Sequence, residues 1–401
     1  MKAMRVAFLQ NSLELDSEAV RLTPVSRIHR GTDLHQTGQP PNLGDWLIIQ
    51  TTMEVLEAEA VYTLHPDHTS ADIDLINAEC DLLLLKGGNF VHRGWLEANL
   101  PLDLLKRFRI PIVYMGSGIQ MPLDSEDAAL TPGDVAVLRY IHDSTTSCMV
   151  RGHFTAEQLA RHGITNVRVA GCPSLFASRR PTIEVRRPHL DRVAWTFRHG
   201  LFAEGSELMK AQLEALRRLR DKASHTVVLL QGEEIHLQRL YGFSHWRATT
   251  VNRRILIGNV TVSETVPVSG RELIEAYLAE YRRFCDDEML SWLPRNMFFS
   301  FDLEDYRVLA RDLGLVAGCR LHGNLLALSQ GIPVVYFLYD RRVSELTELM
   351  RVPALRLDWG ELDIDPDALD YRPFEARYAV LFEQYRTFLD ENGIRHRLPL
   401  A

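Results

Sequence analysis

Residues 315–340 read LVAGCRLHGNLLALSQGIPVVYFLYD. An apolar run ends at Arg320, a short helical stretch follows to a Gly331 stop with Pro333 beyond, and a second apolar run begins at Val334. That is the pattern of a strand, a helix and a parallel strand, with the helix start placed directly after a strand end.

The same alternation extends in both directions. In the first ~175 residues the candidate strands are RVAFLQ from Arg5, CDLLLLKGG from Cys80, IPIVYMGSG from Ile110, TSCMVRG from Thr146 and NVRVAGCPS from Asn166. Short apolar strands alternating with amphipathic helices predict a parallel sheet covered on both faces. FTAEQLARHG, residues 154–163, predicts a helix, with Thr155 and Gln158 at capping-box spacing and Gly163 at its end.

SRRPTIEVRRPHL, residues 178–190, carries two prolines and four arginines without periodicity and suits an interdomain linker. The pattern then restarts with DRVAWTF, a helix from Ser206 and TVVLLQ. Residues 236–268 are less regular, as an insertion or loop-rich rim would be. RELIEAYLAEYRRF predicts a helix, NMFFSFD a strand, and Tyr306, Leu309 and Leu313 mark a further helix. Near the end Phe374, Tyr378, Leu381, Phe382, Tyr385 and Phe388 share one helical face. The expected architecture is α/β: a Rossmann-like domain over residues 1–176, a second over 190–360, and a closing helical segment over 361–401.

A net charge of -8 over 401 residues argues against nucleic acid as a partner, which needs a basic face. An anionic ligand must be held by a local group of cations. The five cysteines form no C-x-x-C and suit reduced thiols of a cytoplasmic protein. The opening residues lack the apolar core of a signal peptide, and no apolar run approaches the ~20 residues of a membrane span.

Ligands of open α/β sheets sit beyond the carboxyl ends of strands, which selects the candidate residues. Arg320 and His322 stand at a helix start whose free N–H groups already favour an anion, and Gly323 and Asn324 follow. This suits a phosphate or carboxylate; it equally suits Arg320 paired with an acidic neighbour and His322 capping within the core. Asn42, Gly44 and Asp45 precede a helix, where one of them serves as an ordinary N-cap while the polar run before them suits a ligand-facing loop. Gly87, Gly88 and Asn89, and Gly116, Ser117 and Gly118, end two strands; their spacing fits neither a dinucleotide fingerprint nor a P-loop and suits tight turns. Arg198 ends the first strand of the second half. Glu233 and Glu234 follow another strand in the same layer. His65 and His68 have i, i+3 spacing without a third ligand, so no metal is expected.

Taken in order, N-L-G-D at 42–45, CDLLLLKGGNF, IPIVYMGSGIQ, STTSCMVRGHFTAEQLARHGI, VRVAGCPSLF, the strand ending in Arg198 and GCRLHGNLLALSQGIPVVYFLYD resemble the polysaccharide pyruvyl transferase family. The resemblance implies a glycosyltransferase-B-like fold of two facing Rossmann-type domains. The activity it implies is transfer of pyruvate from phosphoenolpyruvate to two hydroxyls of one sugar, on a surface polysaccharide or its lipid-linked precursor, with no cofactor. Arg198 and Arg320-Leu321-His322 then fall on the donor side, and Asp45 on the facing side as a base or acceptor-hydroxyl ligand. His322 would contact phosphate and assist as acid. The chain departs from the family pattern at Cys172, at Gly152 and at Arg341 or Arg342, where an aspartate, an acidic residue and a lysine are common. The implied location is cytoplasmic, at the inner membrane face where the acceptor is lipid-linked, with peripheral membrane association. A nucleotide-sugar glycosyltransferase, recruiting Glu233 or Glu234 for ribose, and a non-catalytic glycan-assembly subunit are the rival readings.

Overall fold

The apolar runs become two sheets buried on both faces. The computed structural model describes residues 4–9, 22–24, 43–64, 70–198, 205–231, 254–257, 281–300, 303–357 and 362–400. The first unit holds β1 (Met4–Leu9), β2 (Leu22–Pro24), β3 (Ala58–Leu64), β4 (Leu82–Lys86), β5 (Ile112–Ser117), β6 (Cys148–Val150) and β7 (Val167–Val169). They line up as β2-β3-β1-β4-β5-β6-β7, parallel except for β2 against β3. Successive side chains leave a strand on opposite faces. Val6, Phe8, Leu82, Leu84, Val113 and Met115 accordingly enter one core, and Ala7, Leu9, Leu83, Leu85, Ile112 and Tyr114 the other. Burial on both sides is why these strands read as continuous rather than alternating apolar runs.

The second unit holds β8 (Arg192–Thr196), β9 (His225–Leu229), β10 (Arg254–Ile257), β11 (Met297–Ser300), β12 (Leu315–Gly318), β13 (Val334–Leu338) and β14 (Ala354–Arg356). Their order is β10-β11-β9-β8-β12-β13-β14, with only β10 antiparallel. Counting the parallel strands alone gives the 3-2-1-4-5-6 order of dinucleotide-binding sheets, whose direction of winding reverses between the first and fourth strands. Here those are β8 and β12, which end at Thr196 and Gly318, two residues before Arg198 and Arg320. The opening stretch therefore lies at the switch point, where the two neighbouring connections leave the sheet in opposite directions and open a crevice.

The aromatic stripe forms the helix Arg372–Glu391, with Pro373 in its first turn. Its Phe374, Tyr378, Leu381, Phe382, Tyr385 and Phe388 are all buried. This helix closes the molecule by returning to the first unit: Arg168 pairs with Glu391, and Asn392 donates to the Ser147 carbonyl at 3.1 Å. Tyr385 stacks on Phe176 at 4.6 Å between centroids, fixing the buried 3-10 turn Pro173–Phe176 behind Cys172. The two Rossmann-like units and the closing helix form the α/β arrangement expected from the sequence.

Several elements differ from expectation. The strands β2, β3 and β14 were not foreseen, and β10 lies where a loop-rich insertion was expected; the rest of 236–268, and 271–280 of the predicted RELIEAYLAEYRRF helix, lie outside the described residues. The FTAEQLARHG helix exists as His153–Arg161, yet its N-cap is Gly152, one turn earlier than a Thr155 cap requires. Thr155 instead donates both its N–H, at 2.9 Å, and its hydroxyl, at 2.7 Å, to the Glu345 carboxylate of the second unit. Gln158 binds the Glu126 carbonyl and the Ala128 N–H.

Candidate active site

The carboxyl ends of both sheets meet along one seam. Leu43 N–H donates to the Gln231 carbonyl at 3.1 Å, Arg341 N–H donates to the Met121 carbonyl at 3.0 Å, and Pro122 forms a β-bridge with Asp340. Two helices start at this seam, Leu43–Val55 from the first unit and Leu321–Leu328 from the second. Leu43, Gly44 and Leu47 face Gln231, Tyr306, His322 and Gly323 across a small recess of about 20 Å³. The first turns of both helices border this recess.

On the second unit the switch point is stitched tightly. Thr196 Oγ1 donates to Asn324 Oδ1 at 2.8 Å, and Asn324 Nδ2 donates to the Gly318 carbonyl at 3.2 Å. Asn324 is fully buried, so this predicted donor ligand instead holds the ends of β8 and β12 together. Arg320, 9% exposed, is the N-cap of its helix and donates through Nε to the Phe197 carbonyl at 2.8 Å. That bond fixes the guanidinium beside the end of β8. Leu321 is buried in the core, and His322 is half-buried in the first helical turn. A side chain in place of Gly323 would strike the Gln231 amide, so the glycine keeps the recess open.

Arg198 is held at its backbone by Gln212, which accepts from its N–H at 2.8 Å and donates to its carbonyl at 2.9 Å. Its guanidinium pairs with Asp340 at 2.8 Å and lies 4.4 Å from the centroid of the Tyr339 ring. Arg342 joins this group, contacting Tyr339 Oη and standing 3.4 Å from Asp340. Arg341 instead lies over Phe154, 4.4 Å from the ring centroid. Arg198 and Arg342 thus share the Asp340 carboxylate at the seam.

The first unit contributes a residue that the sequence did not single out. Arg151, following β6, is 1% exposed. Its Nη1 donates to Asn89 Oδ1 at 2.6 Å and its Nη2 to Cys172 Sγ at 3.8 Å, while its buried Nε has no hydrogen-bond partner among the described residues. Asn89 in turn donates to Gln120 Oε1 at 3.1 Å. Cys172 Sγ lies 3.7 Å from His322 Nε2, which brings Arg151 to the switch point of the other unit.

The glycine-rich strand ends make this convergence possible. A Cβ at Gly118 would lie 2.7 Å from Arg151 Cδ, and one at Gly116 would lie 2.6 Å from Pro173 Cδ. Gly116 also has φ +78 at an irregular register between β5 and β6, a backbone state that glycine adopts without strain. Gly87 abuts the Met115 and Gly116 carbonyls and Gly88 the Phe90 ring. Ser117 is buried and its carbonyl accepts from Arg151 N–H at 2.8 Å. These positions serve close packing of strand ends around Arg151. Gly44 and half-buried Asp45 lie in the first turn of Leu43–Val55. Asn42, Glu233 and Glu234, like His65 and His68, lie outside the described residues.

Gly152 also has a structural explanation. A Cβ there would lie 2.7 Å from Glu345 Oε2, so the carboxylate from the second unit fills the place of an N-cap side chain. Burial raises the Glu345 carboxyl to about 7, against the lowering effect of its Thr155 bonds and of Arg151 and Arg341. Among the described residues no cluster of three His, Cys, Asp or Glu could hold a metal, and no helix is long and apolar enough to cross a membrane.

Three solved structures similar to this chain are distant from it in sequence. UDP-GlcNAc 2-epimerase from Methanocaldococcus jannaschii is 10% identical, with 99% of this chain and 96% of that chain covered and a TM-score of 0.43. The glycosyltransferase SnogD from Streptomyces nogalater is 12% identical, with 96% of each chain covered and a TM-score of 0.37. Anabaena HepE in complex with UDP and glucose is 10% identical, with 97% and 95% covered and a TM-score of 0.42. No curated protein matches the chain. The model of the polysaccharide pyruvyl transferase family, by contrast, matches residues 42–341, from the start of the first seam helix to the N-terminal turn of Arg341–Met350, and the chain belongs to that family.

Proposed function

We propose that this protein transfers the pyruvyl group of phosphoenolpyruvate to two hydroxyls of one sugar, in a surface polysaccharide or its lipid-linked precursor, as a cyclic ketal. The observation that carries the reading is the approach of Arg151 to His322 through Cys172, with Arg320 two residues before His322 at the same helix start. A ligand with a phosphate and a carboxylate on three carbons requires several cations within a short span, and charge-assisted bonds to such groups are the strong ones. An acceptor sugar would approach from the first unit, past Gly44 and Asp45.

In this reading the methylene carbon of phosphoenolpyruvate gains a proton and the adjacent carbon becomes an oxocarbenium-like centre. One sugar hydroxyl adds there and loses its proton. The C–O bond to phosphate then breaks, phosphate leaves with its bonding electrons, and the second hydroxyl closes the ketal with loss of its proton. Arg151 and Arg320 hold the anionic groups, and His322 assists phosphate departure as general acid. Asp45 accepts a hydroxyl proton or orients that hydroxyl. No cofactor enters these steps.

The test is phosphate release from phosphoenolpyruvate with galactose, mannose, glucose and N-acetylhexosamine acceptors, beside thermal shift by phosphoenolpyruvate and by UDP-, GDP- and CMP-sugars. Stabilisation by phosphoenolpyruvate that is lost in His322→Ala supports the reading. Stabilisation by a nucleotide sugar alone would replace it with glycosyl transfer.

A further inference from the structure

Cys172 stands where the two units touch around His322, and the chemistry above does not use it. The thiol is 0% exposed and backed by the stacked Phe176 and Tyr385 rings. Three polar groups surround its sulfur: Ser174 Oγ donates to it at 3.1 Å, Arg151 Nη2 donates at 3.8 Å, and His322 Nε2 lies at 3.7 Å. Ser174 and Arg151 both act as donors, so sulfur is the acceptor on those two sides. The thiol hydrogen is then left to the imidazole side, where a basic ring nitrogen is an acceptor for it. The Sγ–Nε2 contact thus joins Arg151 of the first unit to the imidazole of the second through one sulfur atom.

We propose that Cys172 is a positioning residue for His322, holding the imidazole at Nε2 and linking its proton affinity to Arg151 of the first unit. The proposal rests on pyruvyl transfer only for its kinetic consequence; the link itself belongs to the free protein. It makes the charge of the second unit's histidine depend on docking of the first unit. Among the described residues the titratable or charged groups beside the pair include Arg320, two residues before His322, Tyr306, which lines the recess with it, and Tyr336 and Tyr385, which face Cys172. All of them stay unchanged in the variants below.

The experiment has a ligand-free arm and a ligand arm. Histidine ring NMR on the full chain, with His322→Asn to assign the signal, follows the titration of His322 in wild type, Cys172→Ser, Cys172→Asn and Cys172→Asp. The last two differ only in charge. A carboxylate within about 4 Å of an imidazole stabilises its cation, so His322 in Cys172→Asp is expected to bind its proton about tenfold or more tightly than in Cys172→Asn. The pH at which phosphoenolpyruvate affinity is half-lost moves upward with it. Equal His322 midpoints in the two folded variants overturn the proposal. If the buried polar variants do not fold, Cys172→Ser decides: a displaced His322 midpoint at an unchanged melting temperature supports the link, and a midpoint equal to wild type refutes it. A wild-type protein that ignores phosphoenolpyruvate defeats the functional reading, and the NMR arm still decides the role of Cys172.

Discussion

The second unit places its candidate site residues in one short run of sequence, whereas the first assembles its share from four strand ends. Arg320 and His322 are two residues apart, on a helix start fixed by the Thr196–Asn324 bond. Arg151 reaches the same place only because Gly118 leaves room for its stem, Asn89 takes one of its nitrogens, and Cys172 connects it to His322. A motif on a helix start is preorganised by the backbone. A site assembled from separate strand ends depends on packing, and is correspondingly sensitive to single methyl groups.

That contrast can be broken most directly at Arg151. Arg151→Ala leaves Asn89 and Cys172 facing a cavity and removes a buried charge, and is expected to cost roughly 2 to 5 kcal/mol in phosphoenolpyruvate binding or turnover. Titration calorimetry of the folded variant checks it; unchanged affinity would make Arg151 a structural arginine.

Next comes the contact that locks the units together. The Glu345 carboxyl is raised from 4.5 to about 7, so the folded state holds its proton more tightly than the unfolded chain. Its contribution to stability is therefore full below about 4.5 and is lost as pH rises through about 7, a change on the order of 3 kcal/mol. Glu345→Gln, whose amide can still accept from Thr155 N–H, should remove that slope. Denaturant midpoints from pH 5 to pH 8 report it, and parallel slopes in both proteins would count against the buried carboxylate.

A smaller effect should follow from Gly118→Ala. The added methyl meets Arg151 Cδ at 2.7 Å, and overpacking of this kind costs roughly 1 to 3 kcal/mol. Turnover should fall by more than stability, because the methyl displaces the arginine; the reverse would assign Gly118 to packing alone. Smallest is Arg342→Lys, which keeps the charge near Asp340 and loses the forked geometry. A fall of about 1 kcal/mol in phosphoenolpyruvate affinity is expected, measured by calorimetry, with an unchanged salt dependence.

The legibility of the fold follows the same division. Apolar runs such as those of β4, β5, β8 and β12 were readable because both faces are buried, and the aromatic stripe of Arg372–Glu391 because one face is. The edge strands β2, β10 and β14 are only three or four residues long, too short for a periodic signal. The Thr155 and Gln158 spacing imitated a capping box because the true cap comes from another unit, a partner that no local window contains. At the site, Arg320 and His322 stood out beside a helix start. Arg151 did not, since its arginine-glycine pair resembles any strand exit; the adjacent glycines at 116 and 118 were the available signal that something large passes nearby. Asn324 was misjudged because its burial depends on the crossing of β8 and β12, which sequence order alone does not reveal.

The central claim is that the seam binds phosphoenolpyruvate between Arg151 of one unit and Arg320 and His322 of the other. Calorimetric titration of phosphoenolpyruvate into wild type and Arg320→Ala tests it most directly. Saturable one-to-one binding in wild type, weakened about 100-fold in the folded variant, is the predicted result. No saturable binding in wild type, or equal affinity in both proteins, would contradict it.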